Sequence, residues 1–216
     1  GVKVEDWENF YAQATHIPGK NQAEIEVYTS KYMNPMIEQV KALQDKGLSF
    51  REIENYVMLK HGMERNEYMR DRESSKYLKK HPRATATKFD ELKSKDYAGV
   101  RDIAREVGGL DDIPEIGTAE GIAEEFVRDI EAKCGNESIG SFWDAVTAAT
   151  RFSLTKSYHS GILSKDGYDE LISRYKYYVP LRGHDAITAE DKWDYISESG
   201  SPTFSSPIKR AKGRSS

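Results

Sequence analysis

Cysteine is nearly absent from this chain: Cys134 is the only one, so neither an intramolecular disulfide nor a cysteine-based zinc site can be built. A lone thiol fits a reducing compartment. Long apolar runs are missing too. No stretch could span a bilayer, and no charged-then-apolar leader opens the chain. These absences predict a cytoplasmic protein of bacterial type with no membrane partner. The strings that mark many enzymes are also lacking: there is no HExxH, Walker loop or GxGxxG, and no GxSxG elbow. Gly108-Gly109 lies in an acidic loop, a poor phosphate cradle. Cys134 sits near an expected helix end, where the dipole disfavours a thiolate. No catalytic residue, metal or cofactor is therefore expected.

Net charge is small as well, at −4, and names no partner by itself. Its distribution says more. Lys76, Lys79, Lys80, Arg83, Lys88, Lys93 and Lys95 face only Asp90 and Glu91 between positions 76 and 95. Between positions 106 and 125 the order reverses, with seven acids and no base. The preferred reading is two solvated faces of opposite sign that attract each other. The alternative is a nucleic-acid surface using Lys76, Lys79, Lys80 and Arg83, aided by Lys209, Arg210, Lys212 and Arg214 near the C-terminus.

What the chain does have is charge and aromatic rings in helical rhythm. A 31% charged share suits amphipathic helices that each bury one stripe. Thirteen tyrosines and three tryptophans argue against wholesale disorder. Apolar residues recur every three or four positions over residues 4–15 and 22–46, with Pro35 predicting a kink or break inside the second helix. Gly47 is placed to close that helix in a left-handed conformation. Ser49 and Glu52 form a capping box that opens a helix reaching at least Arg72. Further helices fit residues 96–107, 119–133 and 141–160, and a last one capped by Ser164 runs to about Tyr175.

Beyond Pro180 the pattern dissolves. The expected architecture is all-α, an irregular bundle of about six to eight helices over residues 1–183, with an extended C-terminal arm over 184–216. Gly1 is not a methionine and Ser216 follows a basic stretch abruptly, so an excerpt from a longer protein is expected.

Two strings carry polar residues in unusual places. In the helix after Ser49, Ile53, Val57, Glu64 and Tyr68 share one face, with His61 at its edge and Lys60 nearby. A carboxylate within an apolar stripe needs a partner. Lys60, His61 or a distant arginine is the expected one. The second string, Tyr175 to Gly183, leaves its helix before Pro180 and is expected to strap the core, with Arg182 pairing a carboxylate. Together Lys60, His61, Glu64, Arg65, Asn66, Tyr178 and Arg182 are expected to form a polar network that is structural in role. The catalytic alternative gathers His61, Glu64, Arg65 and Arg182 around one pocket. A metal reading of His61 and Glu64, three apart, lacks further ligands.

Three strings in order resemble a helical region of the very large polyvalent proteins of phages and bacterial conjugative elements. They are Lys60-His61-Gly62-Met63-Glu64-Arg65-Asn66, then Phe142-Trp143-Asp144-Ala145 through Ser160-Gly161-Ile162-Leu163-Ser164, then Tyr177-Tyr178-Val179-Pro180-Leu181-Arg182-Gly183. Asp96-Tyr97-Ala98-Gly99 fits loosely. Such proteins often join DNA methylase and helicase domains in one polypeptide. The resemblance implies a spacer or docking module whose partners are the other domains of its parent, with DNA as a further candidate. It attaches no reaction to these residues.

Overall fold

The computed structural model describes residues 22–83 and 86–179, and every regular element among them is a helix. The all-α expectation holds there. The helix expected over 4–15 and the arm expected from 184 lie outside the described residues.

The chain is helical from the first described residue, 22, passes through a π turn at Thr29–Met33 and continues as α1 (Asn34–Asp45). Pro35 explains the turn. It has no N–H to give, and its ring would crowd the carbonyl four residues back in a regular helix. One wider turn solves both problems, with the Asn34 amide donating to the Thr29 carbonyl five residues earlier. The expected break is thus a local widening of a continuing helix.

Gly47 closes α1 at φ 87°. Its amide donates to the Gln44 carbonyl and the Leu48 amide to the Leu43 carbonyl, the paired bonds of a Schellman motif. Leu43 and Leu48 both belong to the buried cluster, which fits the apolar contact that accompanies this motif. Leu48 then precedes Ser49, the N-cap of α2 (Phe50–Lys80), whose hydroxyl accepts from the Glu52 amide while Glu52 reaches back to the Ser49 amide. Ile53 is buried in the same cluster as Leu48, which fits a hydrophobic staple across the cap.

At 31 residues α2 is the longest described helix, about 46 Å end to end, and α1, α4 and α5 all pack on it. It stops at Lys80, just before His81-Pro82. The helices that follow are α3 (Ala86–Lys93), α4 (Val100–Val107), α5 (Ile116–Cys134), α6 (Asn136–His159) and α7 (Lys165–Arg174). Helix α3 escaped the periodicity because it has eight residues and only Phe89 and Leu92 as large apolar side chains. Helix α6 starts five residues earlier than expected: Gly135, at φ 80°, is a one-residue corner between α5 and α6. Gly-Asn-Glu-Ser reads as loop, yet here it holds a corner and a first turn.

Helix α5 packs most extensively on α4 and α6 on α1. Ala119 and Ala123 on α5 are fully buried, so small side chains let α5 approach its neighbours closely. Tyr56, Leu59, Val100, Val127, Phe142 and Trp143 lie at the centre of the buried cluster. After α7 the chain turns extended at Tyr175, and Tyr177 and Val179 pack against that cluster. The expected strap is present over these residues.

Candidate functional site

The polar positions singled out on α2 are distributed around three neighbouring structures. The first is the loop before α4. Gly62 faces it, and a Cβ there would stand 3.1 Å from Val100 Cγ2 and 3.5 Å from Ala98 Cβ, so a bare glycine lets the loop lie against the helix. One turn on, the fully buried Asn66 makes two bonds to the same loop. Its Nδ2 donates to Asp96 Oδ1 at 2.9 Å, and its Oδ1 accepts from the Tyr97 amide at 2.7 Å.

Asp96 in turn accepts from the loop amide of Ala98 and from the amides of Val100 and Arg101, which the start of α4 leaves without helical partners. Burial pushes its carboxyl up. The Arg101 amide, the Asn66 side chain and the other two amides outweigh that and hold it below the ordinary aspartate value.

The second structure is the strap. His61 is 2% exposed, and its ring meets Tyr175 and Tyr178 edge-on at centroid distances of 5.0 and 5.5 Å. Its Nδ1 is buried without a hydrogen-bond partner among the described residues. Burial, aided by the nearby Arg65 cation, lowers its pKa to about 4, so the ring is neutral at physiological pH. Glu64 is only half-buried, and its Oε2 accepts from the Tyr177 amide at 3.1 Å. Burial raises its pKa against the opposing pull of the strap amides.

The expected partners of Glu64 therefore need correction. Lys60 bonds Glu131 instead, at 2.9 Å, and its ammonium lies 4.6 Å from the Tyr177 ring centroid. His61 is turned into the aromatic cage. A backbone amide 113 residues away does the work assigned to a cation. Arg182 lies outside the described residues.

A relay that the sequence reading missed completes this region. Trp143 Nε1 donates to the Tyr56 hydroxyl at 2.9 Å, and that hydroxyl donates to Glu131 Oε1 at 2.9 Å. The Tyr177 ring stands 4.8 Å from Trp143. In sequence, nothing singled out Tyr56 or paired it with Trp143. A buried hydroxyl and indole N–H both needing partners was the available signal.

The third structure is an open groove of about 460 Å³ between α2, the end of α3 and α5. Lys60, Glu64, Arg70, Lys93, Glu120 and Tyr177 are among the residues that line it. The ion pairs here cross between helices, but none joins a base of positions 76–95 to an acid of positions 106–125. Arg70 Nη1 pairs Glu120 at 2.7 Å, its Nε donates to the Lys95 carbonyl at 2.9 Å, and Lys93 pairs Asp71. Arg51, at the start of α2, pairs Glu106 across helices, which lowers the Glu106 pKa to about 2.

The predicted residues thus do not converge. Asn66 belongs to the α4 loop, His61 to the aromatic cage beside Arg65 and Tyr178, and Lys60 and Glu64 to the groove. Among the described residues no group of three or more His, Cys, Asp and Glu side chains could hold a metal ion, and no helix is long and apolar enough to cross a membrane. Of the basic candidates, Lys79, Lys80 and Arg83 are exposed, Lys76 is half-buried, and Lys88 pairs Glu91 at 2.6 Å. Lys209, Arg210, Lys212 and Arg214 lie outside the described residues. No family model, curated protein or solved structure matches this chain.

Proposed function

We propose that this chain is a non-catalytic helical interaction module, part of a large mobile-element protein that handles DNA. One observation carries the reading. The polar side chains that would make a site are engaged in holding the fold: Asn66 locks the α4 loop, His61 is caged by two tyrosines, and Glu64 anchors the strap.

The strings behind the resemblance to polyvalent proteins are the same segments. Gly62 and Asn66 touch the Asp96 loop, and Trp143 and Tyr177 meet over the Tyr56–Glu131 relay. A shared need to pack one helix, one loop and one strap explains such strings without any reaction. Chemistry then belongs to other parts of the parent polypeptide, and docking against those parts is this module's contribution.

The test is turnover. The chain is offered duplex DNA, single-stranded DNA and nucleoside triphosphates, with magnesium and with a methyl donor, and no product is expected. Turnover that disappears in a Glu64→Ala variant with an unchanged helical spectrum would defeat the proposal.

A further inference from the structure

Between Glu73 and Asp90 the chain has no acidic residue, while Lys76, Lys79, Lys80, Arg83 and Lys88 all fall in that interval. The fold gathers this interval at one end of the molecule. Lys93 pairs Asp71, and the Lys95 carbonyl meets Arg70, so α3 runs back antiparallel along α2. Helix α3 packs on α2 and on no other described element to a comparable degree. The two make a helical hairpin that extends about 15 Å past the Arg70–Glu120 pair.

Its tip is exposed at Lys79, Lys80, His81, Pro82 and Arg83, and again at Lys88. Further down, the cations are engaged: Lys93 with Asp71, and Lys95 over the Tyr97 ring. Lys88 has Glu91. Lys79, Lys80 and Arg83 have no carboxylate partner among the described residues. The negative end of the α2 dipole accounts for lysines at 79 and 80. It accounts neither for Arg83, beyond the helix, nor for sixteen positions without an acid.

We infer that this hairpin tip is a phosphate-contacting surface for duplex DNA, with Lys79, Lys80 and Arg83 as the contacting cations. The inference goes beyond the docking reading and does not rest on it. Single-stranded nucleic acid is bound with aromatic platforms, and the Tyr77 ring at the tip is taken up by His81, 4.8 Å away. Membrane surfaces pair cations with inserted apolar or aromatic side chains, and Leu78 is the one large apolar side chain exposed near the tip.

Two helices side by side span about 20 Å, too broad for a major groove roughly 12 Å wide. The contact is therefore to the backbone and insensitive to sequence. The rest of the chain carries the net negative charge, which repels DNA and confines the contact to the tip.

Three phosphate contacts imply a log–log salt slope near −2.7, or about a 40-fold loss of affinity between about 50 and 200 mM salt. The full chain is titrated with a fluorescent duplex and followed by anisotropy. The expected result is weak, sequence-independent binding with that slope. It should fall at least about tenfold in the combined K79E, K80E and R83E variant, and less in the matching glutamine variant. Variants of Lys209, Arg210, Lys212 and Arg214 should keep most of the binding. These tip side chains are exposed, so circular dichroism should match wild type.

No association at low salt would overturn the inference. So would undiminished binding by a folded tip variant, or loss of binding only in the tail variants. Tip-dependent binding to phosphatidylserine vesicles without binding to the duplex would equally overturn it.

Discussion

Replacing Asn66 by alanine removes a donor to the Asp96 carboxylate and leaves the Tyr97 amide facing an apolar side chain. The first loss, a bond to a charged group, is worth about 1.5–3 kcal/mol, and the stranded amide costs about 1–3 kcal/mol. The two share one side chain and do not add fully, so about 3 kcal/mol is expected. Asp96 keeps its three other amide donors, which limits the damage to α4.

For a domain of this size that loss lowers Tm by about 6–12 °C. Asn66→Asp tests the same contact with opposite logic. It sets a second carboxylate beside Asp96 where the amide donor stood at 2.9 Å, and two adjacent carboxylates cannot both ionise cheaply. One of them must keep a proton in the folded state, so the folded pKa is raised above the unfolded value. Relative to wild type, stability is then lost as pH rises, so the variant's deficit should be largest near neutrality and shrink towards about pH 4. Urea unfolding followed by helical circular dichroism measures both. If each variant lay within about 0.5 kcal/mol of wild type at neutral pH, the Asn66–loop contact would not hold the fold and the reasoning would fail.

His61 makes wild-type stability depend on pH in the opposite sense. Its folded pKa of about 4 lies below its ordinary 6.5, so its contribution is full above 6.5 and is lost as pH falls towards 4. At about 1.4 kcal/mol per pH unit the loss reaches roughly 3 kcal/mol. Thermal melts across that window should show it in wild type, and His61→Phe should remove most of it. A variant that keeps the full pH dependence would assign the effect elsewhere. Glu64→Ala would have cost about 3 kcal/mol had the carboxylate been deeply buried. With one amide bond at a half-exposed site the expected loss is about 1 kcal/mol, read from the urea midpoint. Gly62→Val forces a branched side chain against Val100 and should destabilise by about 1–3 kcal/mol in the same assay.

Several elements were legible from the residues because their causes are local. Gly47 and Gly161 adopt the left-handed turns that close their helices, and Ser49 and Ser164 accept from amides three positions on. The misses are local too, where signals were short or mixed. A span of only eight residues with two large apolar side chains hid α3. A Gly-Asn-Glu-Ser run hid the start of α6, and Pro35 suggested a break where one π turn suffices. His61, expected at the edge of the face holding Ile53, Val57, Glu64 and Tyr68, is buried, whereas Glu64 on that face is only half-buried. Among the described residues no cation pairs with Glu64, and its partner there is an amide on a strap that helical spacing cannot locate.

By itself the sequence determined that this protein is helical and where most helices cap, since those outcomes depend on residues within about five positions of one another. It also placed Glu64 and Tyr68 on the Ile53 face of α2, with His61 at the edge of that face. Only tertiary structure decided how the polar residues on that helix are divided: Asn66 to the Asp96 loop, His61 to the tyrosine cage, Lys60 to Glu131. A buried polar group takes whichever partner the packing of distant segments brings within about 3 Å. That choice is made when the helices come together.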